Sequence, residues 1–302
     1  MTQPDVPKYE KPEFLEKIIL NPHSKPMAMF ILLIILFALI STLLAAYFAC
    51  FGPPESEGLI IFDAIMEVCF ITDIVRTFLT QYVDPRDPRK RIRDLVKIAR
   101  NYVQNSFFFD FVACLAWPVH YAVQDEFEPE TASMIYLLRL LRLGKILILM
   151  NLQVFTSNMR SWFRHKLIKT IENQKGSECP KTKDNTKIKT QILLIKGFQV
   201  FRLLLFILIL SYFLGTLWYI MTKQTTKQDD EWTFYNAYNM EDRDSINSLS
   251  IVVYFMLTTL TTVGFGDYNP KSEMERIIMT FILLIGVACF SWIMSQFMDI
   301  LV

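Results

Sequence analysis

The stretch Thr261-Thr262-Val263-Gly264-Phe265-Gly266-Asp267 lies between an apolar run that ends near Met221 and another that begins near Ile277. Glycines at alternate positions let the backbone reach conformations that a Cβ resists, so successive carbonyl oxygens can turn toward one axis. Rings of such carbonyls replace the hydration shell of a potassium ion. The spacing therefore predicts a selectivity filter made by the backbone of Thr262, Val263, Gly264 and Phe265 and completed by Gly266 and Asp267. The Thr262 hydroxyl would add the innermost oxygens. The plainer alternative is a glycine-bearing loop between two membrane helices. A short amphipathic stretch, Ser248 to Leu260, directly precedes the motif and favours the filter.

Composition agrees with a membrane setting. The 302 residues are 52% hydrophobic, and the charged residues gather between apolar runs. Six runs approach the roughly 20 residues a helix needs to cross a bilayer: Met27 to Phe51, Leu59 to Tyr82, Phe107 to Val123, Met134 to Val154, Val200 to Met221 and Ile277 to Leu301. The third is the shortest and contains Pro118. Any one run could be a buried helix of a soluble protein, but six leave too little polar sequence to cover such a core. The expected fold is an all-α membrane protein, with a four-helix unit followed by a two-helix pore unit bearing a re-entrant helix and filter.

The loops set the orientation. Arg86, Arg89, Lys90, Arg91, Arg93, Lys97 and Arg100 lie between the second and third runs, and a second basic loop, from Arg160 to Lys196, follows the fourth. The alternate loops, Gly52 to Gly58 and Gln124 to Thr131, hold acids and no Lys or Arg. Basic loops stay on the cytoplasmic or equivalent side, so both termini are expected inside. No cleavable signal peptide is expected, because the polar segment before Met27 is too long and the first run reads as a signal anchor. The five cysteines, Cys50, Cys69, Cys114, Cys179 and Cys289, match no metal spacing and are expected to be free thiols. Anionic lipid headgroups could meet the basic loops, although a solvated face is the simpler role.

The polar, breaker-rich loop Gly176 to Thr190 divides the chain. The expected organisation is a segment 1–26, a four-span unit 27–154, a linker 155–196 and a pore unit 197–302. On the fourth run Arg139, Arg142 and Lys145 recur at every third position among leucines, a slowly turning stripe along one helix. Charges inside a bilayer are costly and are normally paired. The matching acids are Asp63, Glu67 and Asp73 on the second run and Asp110 on the third. Asp73 and Asp110 can share one level, with Phe70 one turn above as an aromatic plug for a moving cation. Three cations with acids predict a voltage sensor; a static, ion-paired helix is the alternative. The uncharged stretch Ile146 to Met150 implies a shallow voltage dependence.

At this point the chain resembles six-transmembrane potassium channels of the voltage-gated superfamily, most closely the ether-à-go-go and cyclic-nucleotide-regulated branch. The resemblance is carried by Phe70-Ile71-Thr72-Asp73-Ile74-Val75, Phe108-Phe109-Asp110, Leu138-Arg139-Leu140-Leu141-Arg142-Leu143-Gly144-Lys145, Gly215-Thr216-Leu217-Trp218-Tyr219, the filter, and Leu284-Ile285-Gly286-Val287. It implies that Gly286 is the bending point of a gating helix and that Phe290 faces the cavity, although Gly286 also suits a helix-packing glycine. Phe265 stands where the commoner filter residue is tyrosine, which removes a hydroxyl that could brace the filter. The segment Val154 to Lys196 is longer than the linker of typical relatives. The sequence shows no nucleotide-binding domain after the sixth run, so cyclic-nucleotide binding is not expected.

One filter strand cannot close a ring, so a homotetramer, or a heterotetramer with similar subunits, is expected within membrane lipids. K+ is the permeant ion; no cofactor, no metal centre and no nucleic-acid partner is expected. Glu231, Glu241 and Asp242 before the pore helix read as a solvated acidic loop that could also concentrate cations. A rival is a channel-fold chain kept as a non-conducting structural subunit of a larger assembly, which would occur singly. An enzyme is not expected: His23, His120 and His165 are scattered, with no nucleophile–base or ligand spacing. A transporter would need paired broken helices in related halves, which are not visible.

Overall fold

The computed structural model describes residues 19–20, 25–54, 56–84, 87–123, 133–145, 181–227 and 232–301. Two compact units divide the chain, Met1–Phe155 and Thr156–Val302. The described residues of both are mostly helical.

In the first unit, α1 spans Lys25–Phe51 and α2 spans Glu57–Phe78. Ser56 opens α2 by accepting the Leu59 N–H at 3.4 Å. Inside α1, Thr42 returns its hydroxyl to the carbonyls of Ala38 and Leu39, both at 2.9 Å, so a polar residue is satisfied within an apolar helix. Helix α2 ends earlier than its apolar pattern suggests. Leu20 pairs with Thr80, donating to Leu79 at 2.8 Å and accepting from Gln81 at 3.2 Å, and Tyr82 already belongs to a strand. The basic stretch after it is not a plain loop. It folds into an antiparallel hairpin, β1 (Tyr82–Asp84) with β2 (Asp87–Ile92), then α3 (Leu95–Tyr102), whose N-cap is Asp94. Helix α3 continues through a π-helical turn, Val103–Phe107, into α4 (Phe108–Val123). The third span therefore begins well before Phe107, and Pro118 sits inside α4 without ending it.

The described part of the fourth run is a 3₁₀ helix, Met134–Arg142, followed by helical residues 143–145. Residues at three-residue spacing eclipse in a 3₁₀ helix, so Arg139 and Arg142 stand in line rather than on a slowly turning stripe, with Lys145 just beyond the 3₁₀ segment. Ile146 to Met150, and the rest of that run, lie outside the described residues. The 3₁₀ helix packs on α1 and α4, and Ile34, Ala38, Met66 and Phe70 form the core between α1 and α2.

In the second unit, α5 runs from Lys181 to Lys227, so the expected breaker loop Gly176 to Thr190 is helical from Lys181 onward. A single turn α6 (Phe234–Ala237), the helix α7 (Ser245–Leu260) and α8 (Glu273–Leu301) complete it. Helix α7 packs against α5 and α8. The close approach to α5 occurs at Gly215, where a Cβ would stand 3.0 Å from the Val252 carbonyl oxygen and 3.2 Å from the Val253 nitrogen. Trp218, Phe234 and Phe255 fill the centre, with Phe234 stacked on Phe255 at 5.2 Å.

Among the described residues, four helical stretches are long and apolar enough to cross a membrane: Met29–Phe51, Leu95–Val123, Gln199–Thr226 and Glu273–Asp299. Helix α2 has the length, with 22 residues, but carries Asp63, Glu67, Asp73 and Arg76. Among the described residues Cys69, Cys114 and Cys289 are free thiols. Cys179, His23, His165 and Glu231 lie outside them.

Candidate ion-conduction and charge-transfer sites

The filter stretch follows directly on the C-terminus of α7. Its amides fold back on that helix: Thr261 N–H donates to Leu257, Thr262 to Thr259, and Val263 and Gly264 both to Thr258, at 3.0 to 3.2 Å. These bonds occupy carbonyls that a helix end would otherwise leave open. Thr262, Gly264 and Gly266 have φ of 58°, 54° and 80°, whereas Val263 and Phe265 between them do not enter the left-handed region. For Thr262, which has a Cβ, such a φ costs about 1–2 kcal/mol and persists only where surrounding bonds fix it. With the amides drawn toward α7, the carbonyls of Thr262, Val263, Gly264 and Phe265 receive no donor from the described residues. All six residues from Thr262 to Asp267 are exposed in the single chain.

Beyond the stretch, Tyr238 clamps its exit. The phenol donates to the Asp267 carbonyl at 3.2 Å and accepts the Asn269 N–H at 3.1 Å. A second clamp is Glu275, fully buried. Its carboxylate accepts Phe234 N–H at 2.8 Å, Lys271 N–H at 2.7 Å and Ser272 N–H at 3.2 Å, while Ser272 Oγ accepts the Glu275 N–H at 3.2 Å. Ser272-Glu273-Met274-Glu275 is a capping box, a signal present in the sequence that a hydropathy reading passes over. It starts α8 four residues before the predicted Ile277. Farther along α8, Gly286 is buried against α7, with its Cβ position 3.5 Å from Leu260 Cα, and Phe290 is half-buried.

In the first unit the acids and cations named from sequence meet in pairs. Arg139 makes a bidentate pair with Asp63 at 2.7 and 2.9 Å and reaches Glu67 at 3.2 Å. Arg142 grips both Glu67 oxygens at 2.9 and 2.6 Å, and also donates to Ser41 Oγ at 2.8 Å and the Ala113 carbonyl at 3.2 Å. Its guanidinium lies 3.9 Å from the centre of the Phe70 ring, a close cation–π contact. Lys145 bridges Asp73 at 2.7 Å and Asp110 at 3.1 Å. Tyr102 donates to the other Asp110 oxygen at 2.7 Å. Three residues of a 3₁₀ helix rise about 6 Å, as do four residues of an α-helix. Arg139 and Arg142 therefore match the pitch of Asp63 and Glu67, which an α-helical file would not. Ser41, Tyr102 and Arg76 at this site carried no motif in the sequence.

Two family models match the chain in succession: ion transport protein over residues 24–165 and ion channel over residues 194–302. The chain belongs to the ion-channel family. Its first unit is the four-span sensor-like part of the architecture and its second the pore part, in an integral membrane protein. Potassium channel AKT2 of Oryza sativa subsp. japonica is 25% identical over 248 residues, covering 81% of this channel chain and 25% of that protein. Voltage-gated delayed rectifier potassium channel KCNH1 of Rattus norvegicus is 25% identical over 261 residues, 78% and 23% respectively. Potassium channel SKOR of Arabidopsis thaliana is 22% identical over 267 residues, 86% and 28%. The channel chain thus spans about a quarter of the length of the curated relatives it matches.

Proposed function

We propose that this chain is a subunit of a potassium-selective channel that conducts K+ passively down its gradient. Four copies, or a mixed set of four similar subunits, bring four strands from Thr262 to Phe265 around one axis. The observation that carries the reading is the alternating left-handed φ of Thr262, Gly264 and Gly266, with the amides of Thr262, Val263 and Gly264 tied back to α7. That backbone leaves a row of carbonyl oxygens without donors among the described residues, the chemistry that substitutes for a cation's water shell. The potassium-channel names of the relatives support the choice of ion.

The file Arg139, Arg142 and Lys145 is the moving charge of this reading, with Asp63 and Glu67 on one side of Phe70 and Asp73 and Asp110 on the other. A charge that crosses the whole field gains about 2.3 kcal/mol per 100 mV, so three cations give a weak voltage dependence. Both termini and the basic stretches stand on the inner side. Purified protein reconstituted in planar bilayers tests the function. Under opposed K+ and Na+ gradients the reversal potential should lie close to the potassium equilibrium value. A reversal potential near zero, from equal permeabilities, would remove the reading.

A further inference from the structure

The carboxylates that meet Arg139, Arg142 and Lys145 are balanced only when a cation outside that file is counted. Asp63, Glu67, Asp73 and Asp110 supply four carboxylates, and Arg139, Arg142 and Lys145 supply three cations. The fourth is Arg76, in the last turn of α2, on the same helix as Asp73. Its Nε and Nη2 lie 2.8 and 2.7 Å from Asp73 Oδ1, leaving Oδ2 for Lys145. Further contacts hold it in place: Nη2 donates to Thr77 Oγ1 at 3.3 Å, and the guanidinium lies 5.9 Å from the Phe30 ring.

Exposure divides the charged cluster at this level. The side chains of Arg139 and Arg142 are 0% and 1% exposed, whereas those of Arg76 and Lys145 are 16% and 18% exposed. Arg76, Lys145, Asp73 and Asp110 border a cavity of about 530 Å³ whose apolar wall includes Ile34 and Leu141. One carboxylate, Asp73, is therefore shared between a cation that belongs to the file and one that does not.

We propose that Arg76 is a fixed counter-cation that cancels much of the charge of Asp73 and so sets the voltage at which the sensor balances. This rests on the voltage-sensing reading above. Arg76 is anchored on the helix that carries the acids, so it does not travel through the field with the file and adds nothing to the gating charge. It acts through the charge that the file meets. Asp73, Asp110 and Arg76 together present one net negative charge. Without Arg76 they present two, which holds mobile cations more strongly at the inner end. Outward movement then requires a more positive voltage, and the midpoint shifts positive whether outward or inward movement opens the pore. Removing Asp73 instead leaves no net charge and shifts the midpoint negative. Removing both restores one negative charge.

The test is the conductance–voltage relation of the full chain for the wild type, Arg76→Gln, Arg76→Lys, Asp73→Asn, the double variant R76Q/D73N and Lys145→Gln. R76Q should raise the ratio of inward to outward sensor at a fixed voltage by roughly three- to tenfold, the scale of a partly hydrated pair, with an unchanged slope. R76K should keep the wild-type midpoint, and K145Q should change the slope. D73N should shift oppositely to R76Q, and the double variant should return close to the wild type. An unmoved R76Q midpoint, a slope change equal to that of K145Q, or R76K behaving as R76Q would overturn the proposal. If R76Q fails to assemble, D73N and the double variant decide, since coinciding midpoints would show that Arg76 exerts no charge effect. A conducting wild type without voltage dependence would remove the voltage-sensing reading itself, and the inference with it. A sloped wild type with an unmoved R76Q would remove the inference alone.

Discussion

The two units of this channel chain treat their polar groups in opposite ways. In the first, buried side-chain charges are matched within one chain: Arg139 with Asp63, Arg142 with Glu67, Lys145 with Asp73 and Asp110. In the second, the buried Glu275 carboxylate is satisfied by three amides, yet the carbonyls from Thr262 to Phe265 meet no donor among the described residues. Unsatisfied backbone groups at membrane depth cost several kcal/mol each, and irregular backbone survives there only inside protein or beside water. Among the described residues the named charges of the first unit are thus paired within one chain, whereas in the proposed channel the second unit supplies only a fraction of a site.

The largest expected effect comes from the second unit. Gly264→Ala meets no steric obstacle, because nothing lies within 4 Å of the Cβ position, but it places a Cβ on a residue with φ of 54°. The cost of about 1–2 kcal/mol per strand, repeated around the ring, should turn the carbonyl out of line. K+ current should vanish while the size-exclusion profile of the purified particle stays unchanged. Current equal to the wild type would show that the stretch is a loop and not a filter.

The first unit should break differently. Arg142→Gln leaves Glu67 buried beside Phe70 with only Arg139 in reach, and breaking a buried pair costs about 3–5 kcal/mol. The midpoint of thermal unfolding in detergent should fall, and in bilayers the conductance–voltage curve should flatten. A lowered unfolding midpoint with an unchanged curve would mean that the file is a static scaffold. The smallest effect is expected on α8. At Gly286 an added Cβ would sit at ordinary contact distance, 3.5 Å from Leu260 Cα and Cδ2, so Gly286→Ala should change stability by less than about 1 kcal/mol. Open probability should also hold, because α8 runs unbroken through this residue. A large loss of open probability at normal stability would instead make Gly286 the bending point.

These contrasts also explain what could be read from the chain. The unusual backbone from Thr262 to Gly266 was legible because its signal is local: alternate glycines after an apolar helix suffice. Helices were legible where apolar runs are long, α2 among them despite its acids. The 3₁₀ form of the fourth run was not, because a three-residue repeat of cations suits either helix type. The deciding factor is the spacing of Asp63 and Glu67 on another element. The hairpin and α3 were hidden in a basic stretch whose prolines and charges read as a loop. Arg76 was masked by its surroundings, since a lone arginine in the last turn of a helix also suits the helix dipole. Glu275 had a signal in Ser272-x-x-Glu275, set just ahead of the apolar run that drew the boundary.

The central claim is that the free carbonyls of one strand are completed by ions shared with other copies. Imaging the purified particle in K+ tests it most directly. The account predicts four strands around one axis, with ion density on that axis at the level of the Thr262, Val263, Gly264 and Phe265 carbonyls. A single copy, with those carbonyls bonded to an unrelated subunit, would contradict it.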